Sequence, residues 1–197
     1  MNCDWSAALT AESEAQESFH QLLSNNPLDA QAEFKQVRQQ LVEQRLLFGD
    51  KPVPMIFPPF VLSSQRWNQL AASLDELNSV LERLEPKLQD SKWLDWLGFD
   101  PAEQKWIQIE HQIRPGQTIS RVDGFLSEDP DNAGEYQIVE LNIDSPGGAA
   151  FLDISSEIGC ETDPWSESKK AKPGRTIPFR PALYDPLEKV WQSFLAE

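Results

Sequence analysis

No uninterrupted apolar run in this sequence approaches the roughly 18 residues that a membrane-crossing helix needs, which argues against a helical span. The opening Met-Asn-Cys-Asp-Trp, followed by Glu12 and Glu14, lacks the basic-then-apolar layout of a signal peptide. A soluble, cytoplasmic protein is expected by elimination. Cysteine is scarce: Cys3 and Cys160 form no CxxC pair and are too few for a disulfide scaffold, so both are expected as free thiols in a reducing compartment. Histidine is equally scarce, and His20 and His111 stand isolated, outside any zinc-type spacing. Positive charge is the third shortage. Seventeen Lys and Arg face 32 Asp and Glu, a net charge of −15 that would repel nucleic acid or an anionic membrane surface. Neither G-x-x-x-x-G-K-[ST] nor G-x-G-x-x-G occurs, which removes the P-loop and the Rossmann fingerprint. No Ser-His-Asp or Cys-His arrangement can be assigned.

What the chain does have is enough apolar material for a core. Its 197 residues are 40% hydrophobic and include seven Trp and ten Phe, sufficient for one domain or a domain with a subdomain. Residues 1–100 read as helical. Asn26-Pro27 suggests a cap and a first-turn proline, after which Phe34, Val37 and Leu41 recur at helical spacing toward Gly49, a plausible stop. Residues 51–62 hold four prolines and are expected to be extended. Ser63 or Ser64 can cap a long helix carrying Trp67, Leu70, Leu74, Leu77, Leu81, Leu84 and Leu88 in steps of three and four. Pro86 interrupts that pattern, which favours a helix packed within its own fold over a coiled coil. Trp93, Trp96 and Leu97 are expected to close this region at Gly98.

Beyond Asp100 the pattern reads as alternating. Ile107, Ile109 and Ile113 predict a strand with His111 on the same face, and Arg114–Gln117 a turn. Further strands are expected over about residues 118–126 and 136–143, joined by a polar loop and therefore antiparallel neighbours. Ser145-Pro146-Gly147-Gly148 breaks the last strand before a short helix through Phe151, Leu152 and Ile158. Residues 161–182, with Lys169, Lys170 and Lys172, read as a mobile, solvated loop. Asp185-Pro186 is expected to start a terminal helix whose stripe of Leu187, Val190, Trp191, Phe194 and Leu195 needs something to pack against. The fold class is α+β: a helical N-terminal region, a β-rich segment over residues 101–160 with a mainly antiparallel sheet, a loop and a last helix over 183–197.

The chemistry concentrates on the two later strands. Successive strand side chains alternate between faces. Arg121 therefore shares a face with Asp123, and Glu140 shares one with Asn142, while Val139, Leu141 and Ile143 point toward a core. A hairpin in the right register gathers a guanidinium, two carboxylates and an amide on one polar surface. Mg²⁺ prefers oxygen ligands and is held by one or two carboxylates with phosphates completing its shell. Asp123, Glu140 and Asn142 supply such oxygens, and the planar fork of Arg121 suits a phosphate. On alternation alone the same residues also suit a solvated hairpin face with an arginine–carboxylate pair, and that reading stays open.

Glu140-Leu141-Asn142-Ile143-Asp144-Ser145-Pro146 resembles the Glu-x-Asn-x-Asp-Ser/Thr-Pro segment of the glutathionylspermidine synthase group, which are circularly permuted ATP-grasp ligases. Arg121-Val122-Asp123 resembles the Arg-x-Asp that precedes that segment in the same family. The resemblance covers about residues 119–152. It implies an ATP-grasp-like fold with ATP and Mg as cofactors, and ligation of a small-molecule carboxylate to an amine through an acyl phosphate. It implies that Asp123, Glu140 and Asn142 hold the metal and that Arg121 is the catalytic contact to nucleotide phosphate. Asp144 and Ser145 match the segment as further binding residues toward the acid substrate. The glycine-rich loop and lysine-bearing strands that follow the motif in the family are not found after it here. The ligase reading therefore expects a missing C-terminal half or a partner chain. Its rival is a non-catalytic relative of these ligases or a helical protein-interaction module.

Overall fold

A computed structural model describes residues 5–55, 60–113, 119–143, 148–162 and 175–195. The fold is α+β, and predominantly helical. Among the described residues the strands form two two-stranded antiparallel sheets, in place of the single, mainly antiparallel sheet expected. The chain divides into two compact units, the first made of residues 1–66, 128–133 and 147–182, the second of residues 67–127, 134–146 and 183–197.

In the first unit, α1 (Ser6–Asn25) and α2 (Pro27–Glu43) are consecutive helices. Pro27 occupies the start of α2 as its fixed φ favours, but the Asn26 side chain makes no capping bond. The helix stops at Glu43, well before Gly49. Arg45 takes the left-handed conformation (φ 58°), and the Leu46 N–H donates to the Leu41 carbonyl at 2.8 Å. This is the geometry of a Schellman ending, with arginine where glycine usually stands. Gly49 (φ 66°) instead turns a minimal hairpin of β1 (Leu47–Phe48) and β2 (Lys51–Pro52). Residues 53–55 continue without helix, as the prolines predict, and residues 56–59 lie outside the described residues. Val37, Leu41 and Leu46 bury together with Ile158 of α6 (Ala149–Cys160), and Val53, Met55 and Ile154 pack around them. A second cluster joins Trp5, Ala8 and Ala133.

In the second unit, α3 (Ser64–Leu84) carries its leucine stripe through Leu81 as a half-buried face, while Leu84 and Leu88 are exposed. Ser63 is the cap, its Oγ accepting from the Arg66 N–H at 3.2 Å. Pro86 ends the α-helix and a 3₁₀ turn (Glu85–Gln89) follows. The next helix, α4 (Ser91–Leu97), is capped by Asp90 and stopped by left-handed Gly98. Leu94, fully buried, anchors it; Trp93 and Trp96 stay outside, edge to face at 5.9 Å, with the Lys87 ammonium 5.1 Å from the Trp93 ring.

The strand expected at Ile107–Ile113 is a helix, α5 (Pro101–Ile113). A capping box explains the difference. Asp100 Oδ1 accepts from the N–H groups of Ala102 (2.7 Å) and Glu103 (3.0 Å), and Glu103 Oε2 accepts from the Asp100 N–H at 2.8 Å. With Pro101 preset for the first turn, this local nucleus outweighs the alternation of isoleucines. The turn at 114–117 and the orientation of the His111 side chain lie outside the described residues.

Two strands, β3 (Arg121–Leu126) and β4 (Tyr136–Asn142), follow as the expected antiparallel pair. The helix after the motif, α6, is also as expected. The terminal helix, α7 (Arg180–Leu195), starts at Arg180, five residues before Asp185, and incorporates Pro186. An acceptor distant in sequence, Asp153, sits at its first turn. The lysines at 169, 170 and 172 lie outside the described residues. No helix of the described residues is long and apolar enough to cross a membrane.

Candidate functional site

The β3–β4 register decides whether the polar residues meet. Arg121 stands opposite Asn142, Val122 opposite Leu141, and Asp123 opposite Glu140. Directly opposed residues in an antiparallel pair project to the same face. The guanidinium, both carboxylates and the amide therefore share one surface, as the alternation requires. On the reverse face Val122 lines a cleft of about 140 Å³ with Ser120 and with Leu74, Leu77, Asn78 and Leu81 of α3. The strand is thus polar on one side and packed on the other.

The packed side is narrower than alternation predicts. Beyond Asp123 the pairing slips, so that Gly124 faces Ile138 and Val139 is left as a bulge. Val139 is 66% exposed and Ile143 57% exposed, so of the three residues assigned to a core only Leu141 is partly covered.

Beside the slip sits a close packing around Gly124, which the sequence reading missed. A Cβ on Gly124 would lie 2.5 Å from the Gln137 carbonyl oxygen and 2.6 Å from the Tyr136 ring. Glycine lets the Tyr136 ring cross the strand, and its hydroxyl donates to the Val122 carbonyl at 2.9 Å. Burial, with the Asp123 charge adding to it, raises the Tyr136 phenol above its ordinary value and keeps it a donor. The available signal was a lone glycine inside a strand, followed by an aromatic at the start of the next.

On the polar face Arg121 grips Asp123 with a two-point fork: Nε to Oδ1 at 2.8 Å and Nη2 to Oδ2 at 3.0 Å. The hydrogen bond and charge of Asp123, with a smaller contribution from Glu140, raise the guanidinium above its ordinary value. Both side chains remain near half exposure, 46% and 40%. Solvent competes freely there, so the pair can be exchanged for another partner at small cost. Glu140 is exposed. Asn142 is partly covered, and its Nδ2 is buried without a hydrogen-bond partner among the described residues. Amide O and N interchange by a flip, so this group carries unused capacity to donate or to accept.

These donors fit Mg²⁺ only as a partial shell. Among the described residues no group of three or more His, Cys, Asp or Glu can hold a metal ion. Two carboxylates and an amide with spare capacity suit a cation whose remaining ligands come from phosphates and water. Asp144 and Ser145 lie outside the described residues. Cys160 lies partly covered on α6. No family model, no curated protein and no solved structure matches this chain.

Proposed function

We propose that the polar face of the β3–β4 hairpin is the phosphate- and Mg²⁺-handling part of an ATP-dependent carboxylate–amine ligase site. The observation that carries this reading is the register, which sets Arg121 against Asn142 and Asp123 against Glu140 on one face. Asp123, Glu140 and Asn142 would hold the cation, which when bound neutralises charge on the transferring phosphoryl group. Arg121 would leave Asp123 for a phosphate oxygen, an exchange its solvent exposure makes inexpensive. In the reaction class implied by the resemblance, a carboxylate takes the terminal phosphoryl group of ATP to give an acyl phosphate and ADP. An amine then displaces phosphate to form the amide.

The test is calorimetric titration of the chain with a non-hydrolysable ATP analogue, with and without Mg²⁺. Mg²⁺-dependent binding that disappears in Glu140→Ala supports the assignment. Binding by the parent that survives in Glu140→Ala removes Glu140 from the site, and no binding by the parent removes the claim that this hairpin takes nucleotide without the C-terminal half or partner chain the ligase reading expects.

One observation favours a second reading, a helical interaction module. The apolar side of α7 is open: Tyr184, Leu187, Trp191, Phe194 and Leu195 are each 50–67% exposed. Sedimentation separates the two readings, because an interaction module forms a defined oligomer or complex without nucleotide.

A further inference from the structure

Two helices have their first turns in the first unit and the rest of their length in the second: α3, which changes unit after Arg66, and α7, which changes unit after Ala182. Both are held at the root by the same device. Glu12 of α1, 7% exposed, accepts from the Ser63 N–H at 2.7 Å and pairs with Arg66 in the first turn of α3. Asp153 of α6, 6% exposed, accepts from the N–H groups of Phe179 (2.7 Å) and Arg180 (2.8 Å) and from Arg180 Nε at 3.2 Å. In each case a buried carboxylate from another helix takes the N–H just ahead of the held helix, together with the arginine of its first turn. It does across space what the glutamate of a capping box does locally, and a negative charge at a helix N-terminus is favourable in itself.

The two clamps differ in their second partner. Arg66 is 4% exposed, and its Nε also donates to the buried Ala133 carbonyl at 3.0 Å. Arg180 keeps 42% side-chain exposure, and its other partner is Glu157, a surface carboxylate one turn along α6 from Asp153. The Glu12 clamp is thus closed on every side, whereas the Asp153 clamp opens to solvent through its arginine. Beyond its root, α7 presents an apolar side that is half or more exposed.

We propose that Asp153 is the latch of a releasable terminal helix: one carboxylate holds the root of α7, and neutralising it frees that root while α1, α2 and α6 stay folded. Among the described residues, the groups facing Asp153 are the Phe179 and Arg180 amides and the Arg180 guanidinium, with Glu157 acting through that guanidinium. Burial pushes the Asp153 carboxyl up, but the Phe179 and Arg180 amide hydrogen bonds and the Arg180 guanidinium together outweigh it and hold the carboxyl below its ordinary value. A depressed carboxyl contributes stability that is complete above its unfolded-state value and lost as pH falls through the folded value, so the latch opens on the acid side.

The experiment is residue-resolved amide hydrogen exchange on the full chain. In Asp153→Asn, exchange at Phe179, Arg180 and the first turn of α7 is expected to rise tenfold or more, with α2 unchanged. Glu12→Gln is expected to leave Phe179 and Arg180 as they were. Parent-like exchange at 179–183 in Asp153→Asn overturns the latch, and so does a uniform rise across the chain, which would make Asp153 a general stability residue. Where Asp153→Asn does not fold, the unmutated chain decides. After correction for intrinsic rates, opening of 179–183 before α2 as pH falls supports the latch, and simultaneous loss of both overturns it.

Discussion

Arg66–Glu12 and Arg121–Asp123 are the same chemical pair in opposite surroundings. The first retains 5% and 8% side-chain exposure, the second 46% and 40%. In the buried pair every partner is spoken for: Glu12 also takes the Ser63 N–H, and Arg66 also supplies the Ala133 carbonyl. Charges taken out of water must be matched, so neither side chain can leave without stranding the other. On the hairpin, water substitutes for either partner, and the fork between Arg121 and Asp123 is a resting arrangement open to exchange. Burial, more than residue type, separates an ion pair that builds the fold from one that is available to a ligand.

Four single substitutions and one double variant test that contrast. The largest effect is expected for Arg66→Ala, which leaves the Glu12 carboxylate buried and unpaired at a cost of about 3–5 kcal/mol, read from denaturant unfolding. The double variant Glu12→Gln, Arg66→Met should unfold later than Arg66→Ala alone, because no charge is stranded. A double variant no more stable than the single one would mean that the charge was not what the burial had to compensate.

Gly124→Ala comes next. Its Cβ would press on the Gln137 carbonyl and the Tyr136 ring, and overpacking of this kind costs about 1–3 kcal/mol. An unmoved unfolding midpoint would show that the hairpin yields at its bulge. Tyr136→Phe removes the bond to the Val122 carbonyl, worth about 0.5–1.5 kcal/mol. The raised phenol adds a pH signature. Its contribution is complete below the unfolded-state value and lost as pH rises through the higher folded value, so Tyr136→Phe should flatten the alkaline limb of the stability curve. The smallest change in stability is expected for Arg121→Gln, with no resolvable shift in midpoint, since both members of that pair are already solvated. Under the ligase reading it nevertheless weakens Mg²⁺-dependent binding of the ATP analogue. A clear loss of stability in Arg121→Gln would place this pair with the buried one.

Much of this was legible in the residues. The pairing of β3 with β4 followed from strand patterns separated by a polar loop, and the shared face of Arg121, Asp123, Glu140 and Asn142 followed from the two-residue period once the register was known. The starts of α2 and α3 at Pro27 and Ser64 were readable from proline and serine chemistry. The isoleucines of α5 alternate as a strand would, but the Asp100-Pro101-x-Glu103 cap, equally present in the sequence, nucleates a helix and outweighs them. The end of α2 was hidden because arginine occupies a left-handed position where glycine is the usual marker. The early start of α7 was hidden because its cap, Asp153, lies 27 residues before Arg180.

By itself, then, the sequence determined whatever depends on neighbours within a few residues: most of the helices and their caps, the prolines that end them, the alternation that makes one hairpin face polar, and the excess of acid over base. Tertiary structure alone decided that Glu12 meets Arg66 and that Asp153 meets the root of α7. It also decided that Leu94, rather than its tryptophan neighbours, is buried, and that Gly124 makes room for Tyr136. These pairings rest on burial and on long-range hydrogen bonds, whose free energy depends on which distant groups remove water from one another.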